Sequence, residues 1–370
     1  MKKALSIIAV LLVLVLVIVT LVTPALAASK GIQDKAIQLT TNLRYDRNPS
    51  FLRANDGTYW LFWARGQDSR NIRGFNGYDP DLDYYDVYYK TANSMPGLER
   101  AAEHQIPLKA PDNAQRDIAA VQAANGTIWV FVSTGLGPGS ERSVYYYTYD
   151  GTWHGPTAVP ATDYAAHISA LQYQGKIWVF FDIGYTLKVT SYDETTSQWT
   201  STPNLIANNA TIAKAIVDKG KFYVVWTYVD GVNIWGSGIY LSSSPDGLTW
   251  SSTANPIAAW PATGATNWDP VLTQDKGVFR LFWAPDSGIP GYGQFIATST
   301  STKPIDPASW SVPVQVTTAN YDGNNWWDFW PQVYDKGAEY LLYTSERNSS
   351  GTGMTDGNIW MVHLTVPLLR

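Results

Sequence analysis

A glycine followed by a run of β-branched, aliphatic and aromatic residues recurs six times along this chain, and no other feature restricts its fold as much. The copies are Gly57-Thr-Tyr-Trp-Leu-Phe-Trp63, Gly126-Thr-Ile-Trp-Val-Phe-Val132, Gly175-Lys-Ile-Trp-Val-Phe-Phe181, Gly220-Lys-Phe-Tyr-Val-Val-Trp226, Gly277-Val-Phe-Arg-Leu-Phe-Trp283 and Gly337-Ala-Glu-Tyr-Leu-Leu-Tyr343. Each run is apolar on both faces, which is the pattern of a strand buried between stacked sheets. Turn residues such as Asn55-Asp56 and Asp218-Lys219 precede the glycines. Glycine supplies the positive φ that a tight hairpin needs at that point. The copies recur at intervals of roughly 45 to 70 residues, the period of propeller blades rather than of helical solenoids.

The remainder of each repeat fits four antiparallel strands. A third strand is predicted at Asp86–Lys90, Ser143–Tyr147, Leu187–Thr190, Gly238–Leu241, Gln294–Ala297 and Asn358–Met361, and an outer strand opening at Trp153, Trp199, Trp250 and Trp310. The sixth repeat ends the chain without an outer strand. Lys35–Thr40, which has no other partner, would supply it and remove an open sheet edge. The expected fold is all-β: a six-bladed β-propeller of four-stranded antiparallel blades, closed by an N-terminal strand that joins the last blade. It would form a single domain over residues 28–370.

Residues 1–27 read as an address. Lys2 and Lys3 precede an apolar run from Leu5 to Val22, and Pro24-Ala-Leu-Ala27 gives a small-x-small ending, the signature of a secretory signal peptide. The apolar run is also just long enough to span a bilayer, so an uncleaved anchor is the alternative. Either way the rest of the chain is expected outside the cell, secreted or at its surface, meeting a membrane only through this segment. The absence of cysteine excludes a disulfide scaffold, a thiolate metal site and a cysteine nucleophile. A net charge of −5 argues against nucleic acid, whose binding needs basic patches. The 17 Trp and 23 Tyr suit β-sheets and sugar-contacting surfaces. A carbohydrate is the expected partner, on the grounds of the motifs that follow, and a monomer the expected state.

Ser244-Pro-Asp-Gly-Leu-Thr-Trp250 resembles the Asp box (BNR repeat) of sialidase-like propellers, and Asp150-Gly-Thr-Trp153 is similar to a truncated copy. In such a hairpin the Asp accepts backbone N–H bonds, Gly takes positive φ and Trp packs between blades. Asp boxes lie on the outer rim, so the resemblance implies a structural Asp246. Arg47-Asn-Pro49 resembles the first-blade arginine-x-proline signature of sialidases, which implies that Arg47 grips a substrate carboxylate. Tyr343 and Glu346 lie in the blade where that family places its tyrosine nucleophile and partner glutamate. Blade 4 offers neither the glutamate nor the second arginine of true sialidases, so the match is to the architecture and is not close.

A propeller builds its ligand face at the mouth of the central tunnel, from first-strand entrances and the loops between second and third strands. The entrances here supply Arg116, His167, Trp268 and Trp327, and the loops supply Arg65, Glu346 and Arg347. Aromatic rings stack on sugar faces while carboxylates and guanidinium groups bind hydroxyls or acids. A glycosidase needs two carboxyl groups. Asp269 in Asn-Trp-Asp-Pro and Asp328 in Trp-Trp-Asp-Phe-Trp-Pro are expected at equivalent entrances of neighbouring blades, as are Asp46 and Asp117. This resembles propeller glycosidases of the arabinanase or fructosidase type. The other reading of these aspartates is that they cap strand entrances. Catalysis is thus assigned to Asp269, Asp328, Glu346 and Arg47, and substrate binding to Trp268, Trp327, Arg347, Arg65, Arg116 and His167. No cofactor is required. Asp79, Asp81 and Asp83 alternate in one loop and read either as ligands of a structural Ca²⁺ or as a solvated acidic loop. The functional reading is a glycoside hydrolase-like protein that binds or cleaves a glycan at the tunnel mouth. The alternative is a non-catalytic glycan-binding or cell-surface interaction propeller.

Overall fold

The computed structural model describes residues 36–41, 46–66, 85–110, 115–134, 143–230, 238–261, 265–286, 294–317, 325–334, 340–348 and 354–364; at 325, 326, 334, 346–348 and 354–356 it describes the backbone alone. The expected signal segment 1–27 and the acidic loop with Asp79, Asp81 and Asp83 lie outside the described residues. Six antiparallel sheets form a ring of blades. Their innermost strands are Asp46–Arg53, Ile118–Gln122, Ala166–Tyr173, Ala210–Asp218, Asn267–Asp275 and Asn325–Tyr334. Each lies against the innermost strands of the two adjacent blades, so the circle closes.

The glycine-led runs become the second strands: Tyr59–Gly66, Ile128–Ser133, Lys176–Ile183, Lys221–Tyr228, Val278–Pro285 and Tyr340–Asn348. Their two apolar faces have a direct structural reason. Phe62 packs toward blade 2 with Val130, whereas Leu61 and Trp63 pack toward blade 6 with Leu342. Six such hydrophobic clusters fill the six seams between blades. Each fully buried large side chain contributes about 1.5–3 kcal/mol. The closing strand forms as Ile37–Gln38, paired in register with Met361 and Trp360, and Leu39 N–H donates to Ile359 at 2.8 Å.

Blade 5 departs from the expected spacing. Its third strand is Ala297–Ser301 and its outer strand Val314–Gln315, both later than predicted. Asp306 accepts from Ala308 N–H and caps a 3₁₀ turn at Pro307–Ser309, so Trp310 follows that turn and does not open a strand. Blade 3 carries a fifth segment, Asn204–Asn208, along its third strand. Among the described residues no helix is long and apolar enough to cross a membrane.

The turn expected at Ser244–Trp250 forms. Asp246 accepts from the amides of Leu248 at 2.8 Å and Thr249 at 2.7 Å, and these bonds hold its carboxyl down at about 2. Gly247 has φ +74°, and a Cβ there would lie 2.6 Å from the Trp178 ring of the preceding blade. Gly247→Ala therefore combines backbone strain with a clash in a packed seam and is expected to destabilise the protein by about 2–3 kcal/mol. A denaturant melt showing less than ~0.5 kcal/mol of change would refute this reading of the turn.

Candidate functional site

The mouth is organised by a repeated backbone irregularity. In five blades the innermost strand breaks register near its entrance, between Arg47 and Ser50, Ala166 and Ser169, Thr211 and Lys214, Trp268 and Val271, and Phe329 and Gln332. A bulge of this kind re-aims a side chain. The first bulged residue is left-handed each time: Asn48 (φ 50°), His167 (50°), Ile212 (50°), Asp269 (52°) and Trp330 (50°). In blade 2, Ile118 pairs with Val132, which puts Asp117 at the same level. One residue from each blade thus makes a ring, and all six line one cavity of about 30 Å³. Two positions deeper, Ser50, Ala119, Ser169, Lys214, Val271 and Gln332 line a channel of about 220 Å³. Lys214 is the charged member of this second ring and also borders the cavity above it.

Two carboxyl groups on the upper ring have opposite surroundings. Asp117 is saturated: Oδ1 accepts from Asn48 Nδ2 at 2.7 Å, and Oδ2 from Ser133 Oγ at 2.6 Å and the His167 amide at 3.0 Å. Burial pushes this carboxyl up, but His167, Ser133, Arg116 and the His167 amide together hold it far below the usual carboxylate range. Asp269 is only 8% exposed. Its Oδ2 accepts from the Trp330 amide at 3.2 Å, while its Oδ1 accepts no hydrogen bond among the described residues. Burial pushes its carboxyl up to about 6, against the Trp330 amide, His167, Lys214 and Arg47. Desolvation disfavours the charged form, and one amide bond is too little to offset it. Lys214 Nζ donates to Ile168 C=O at 3.4 Å. Burial lowers its pKa, against the charges of Asp117 and Asp269.

His167 is fixed by its neighbours. Its Nδ1 lies 2.9 Å from Asp182 Oδ1 and 3.0 Å from Thr211 Oγ1, which sets the ring orientation. Asp182 also accepts from Thr211 Oγ1 at 3.0 Å, so three successive blades are linked from Asp117 through His167 to Thr211.

The other expected site residues fall into distinct places. The Arg47 guanidinium lies 4.0 Å from the centroid of the Trp330 ring, beside the cavity. Arg65 is buried within blade 1, bonded twice to Asp46 at 2.7 and 2.9 Å and to Glu103 at 2.6 Å. Asp328 is not the counterpart of Asp269. The register aligns Asp269 with Trp330, and Asp328 with Asn267 and Asp46. Asp328 is 4% exposed and bonded by Ser345 and Thr317, with burial raising its pKa to about 6. It lines neither cavity nor channel and holds an entrance together, as Asn267 does by accepting from Trp260 and Trp283 at 2.9 Å. Trp268 and Trp327 are half-buried, the latter against the seam between blades 5 and 6. The Arg116 carbonyl accepts from Asn48 Nδ2 at 2.8 Å. The backbone sets Glu346 and Arg347 opposite Trp327 and Trp326; their side chains are outside the described set. Tyr343 is buried in the same seam as Trp327, and burial holds its hydroxyl well above the usual range. Among the described residues no group of His, Asp and Glu is placed to hold a metal ion.

Asp117 and Asn48 are the ring members that sequence reasoning ranked too low. The signal was present in part: Asn48-Pro49, Asp269-Pro270 and Trp330-Pro331 share a proline after the left-handed residue.

No protein-family model and no curated protein matches the chain. Solved structures do. A protein of unknown function from Dyadobacter fermentans superposes with a TM-score of 0.66 at 12% identity, covering 89% of this chain and 98% of that one. Trypanosoma rangeli sialidase gives 0.58 at 11% identity, covering 90% of this chain, which spans only 58% of the sialidase. An α-L-arabinofuranosidase from Lactobacillus brevis gives 0.50 at 16% identity, covering 90% and 93%. The chain has the fold of the sialidase-like six-bladed propellers and is not a close match to the sialidases themselves.

Proposed function

We propose that this protein is a secreted carbohydrate-active propeller that hydrolyses a glycosidic bond at its tunnel mouth, with Asp269 as proton donor and Asp117 as the ionised partner. The observation that carries the reading is the pair of ring carboxyls with opposite environments around one cavity. Glycoside cleavage uses one carboxylic acid to protonate the leaving oxygen and one carboxylate to stabilise positive charge or direct water. Asp269 Oδ1 is buried and accepts nothing among the described residues, and its proton can reach a glycosidic oxygen at the rim through one water in the water-sized cavity. Asp117, held ionised by three donors, suits the charge-stabilising role. Two structural neighbours are named for glycoside cleavage, which supports the class of chemistry. Specificity for sialic acid is not part of the proposal, because Tyr343 lies inside a seam.

The test is mass spectrometry of a broad oligosaccharide panel after incubation with the purified protein, followed by a pH profile on any glycan cleaved. Because Asp269 must carry a proton, kcat/KM is expected to fall tenfold per unit above about pH 6. Asp117 stays ionised throughout that range, so it adds no limb. Activity that rises from pH 6 to 8 would overturn the assignment of Asp269 as acid.

One observation favours a second reading, glycan binding without cleavage: both Asp117 oxygens are already engaged, which leaves them poorly placed to take a proton from water. Saturable binding with every glycan intact would select it.

A further inference from the structure

The chain has 17 Trp, 23 Tyr and 11 Phe, yet among the described residues only two of these rings are exposed, Tyr164 at 58% and Tyr185 at 41%. Both belong to the mouth rim of blade 3. Tyr164 stands two residues before the innermost strand Ala166–Tyr173, and Tyr185 sits in the turn joining Lys176–Ile183 to Thr186–Asp193. Ala166 pairs with Asp182, so both tyrosines leave the end of the sheet at which His167 stands. Hydrophobic packing does not hold them there; the backbone does. Both are left-handed, with φ 65° and 61°, a conformation unfavourable for a bulky L-residue. The Tyr185 carbonyl is tied to Ala210 N–H of the next blade at 2.8 Å, and Ala165 N–H to Thr162 at 3.0 Å just before the strand.

The cavity inside the ring, about 30 Å³, accommodates a group the size of a water molecule. A sugar ring must therefore rest above it, on the rim. A saccharide offers an apolar C–H face and an edge of hydroxyls, which suits exposed aromatic rings beside a fixed imidazole and carboxylate. The sequence also restricts the sugar's charge. No arginine occurs between Arg142 and Arg280, so blades 3 and 4 have no guanidinium fork for a sugar carboxylate. The geometry points to a saccharide subsite on the blade 3 rim, where Tyr164 and Tyr185 stack on uncharged sugar units and His167 binds their hydroxyls. This rests on the carbohydrate reading above and extends it by naming the surface and the sugar class.

Isothermal titration of the full protein tests it, with neutral gluco-, galacto- and arabino-oligosaccharides beside matched uronic-acid and sialic-acid oligosaccharides. Tyr164→Ala and Tyr185→Ala are expected to weaken neutral binding about tenfold each, through lost stacking. Tyr164→Phe and Tyr185→Phe should bind within about twofold of the wild type, because the ring face is kept. Thermal melts of the alanine variants check that folding is intact. If the wild type binds neutral sugars and the folded alanine variants bind equally well, the subsite is wrong while the carbohydrate reading stands. Tighter binding of acidic than of neutral sugars overturns the sugar class. No binding of any saccharide overturns both.

Discussion

Asp269→Asn is expected to lower the rate of glycan cleavage by about 10²–10⁴-fold and, at pH 8, to make the folded protein more stable. Both effects have one origin. The Asp269 carboxyl is buried, with one oxygen accepting nothing among the described residues, and burial raises its pKa to about 6 from an ordinary 3.8. A group whose pKa is raised by folding stabilises the native state fully below its unfolded pKa. That contribution is lost as pH rises through the folded pKa. Above pH 6 the native protein holds a buried carboxylate, at a cost on the order of 3 kcal/mol relative to the acid. Asparagine keeps the shape and removes that charge. Asp328→Asn is the control, since Asp328 is equally buried with a pKa near 6 but lies off the cavity. It should share the gain in stability at pH 8 and leave cleavage unchanged. Thermal melts at pH 4 and pH 8 beside initial rates would check this. An Asp269→Asn protein that cleaves at the wild-type rate, or melts lower at pH 8, defeats the assignment.

Arg65→Met should cost roughly 3–5 kcal/mol of stability, a fall in melting temperature on the order of 10 °C. Asp46, fully buried, would lose the guanidinium that binds it twice, and with it the cation that faces its carboxylate inside blade 1. The arginine also lies 4.3 Å from the centroid of Tyr88 and bonds Glu103. Lys90 is 3.6 Å from Glu103 and donates to Leu39 C=O at 2.6 Å, so the loss reaches the closing strand. Arg65→Met with Asp46→Leu should recover most of the deficit, because removing both partners leaves neither half of this buried ion pair without the other. If Arg65 were instead a ligand contact at the mouth, Arg65→Met would keep its stability and lose glycan binding. Chemical denaturation and titration on the same samples separate the two.

The architecture was legible because the second strands advertise it. A run such as Ile-Trp-Val-Phe needs cover on both faces, and only a strand between two seams gives that. The closing strand was legible through a deficit, since the sixth repeat lacked an outer partner. Blade 5 was misread because Trp310 imitates Trp153 and Trp199, while Asp306 and Pro307 turn the chain into a 3₁₀ segment first. In the site, Asp269 was visible and its pairing with Asp328 was not sound. Asp269 is followed directly by Pro270, whereas Asp328 stands two residues short of Trp330-Pro331, and the bulge keeps register with the proline. The exposure of Tyr164 and Tyr185 left no sequence signal at all. It depends on left-handed backbone at two non-glycine positions, which tertiary context imposes.

Ring closure also orders events in time. Each blade is built from hairpins whose strands are close in sequence, so it can start to form as soon as its own segment is available. The pairing of Ile37 with Met361 and Gln38 with Trp360 joins opposite ends of the described chain. That contact closes the longest loop among the described strand pairings and has nothing to pair with until the sixth blade has emerged during synthesis. The seam between blades 6 and 1 is thus expected to be the last to become dry, and this long-range closure is expected to slow folding. Until then blade 6 presents an unpaired edge, the Asn358–Met361 stretch of its third strand, the place where a half-made ring is open to the wrong partner.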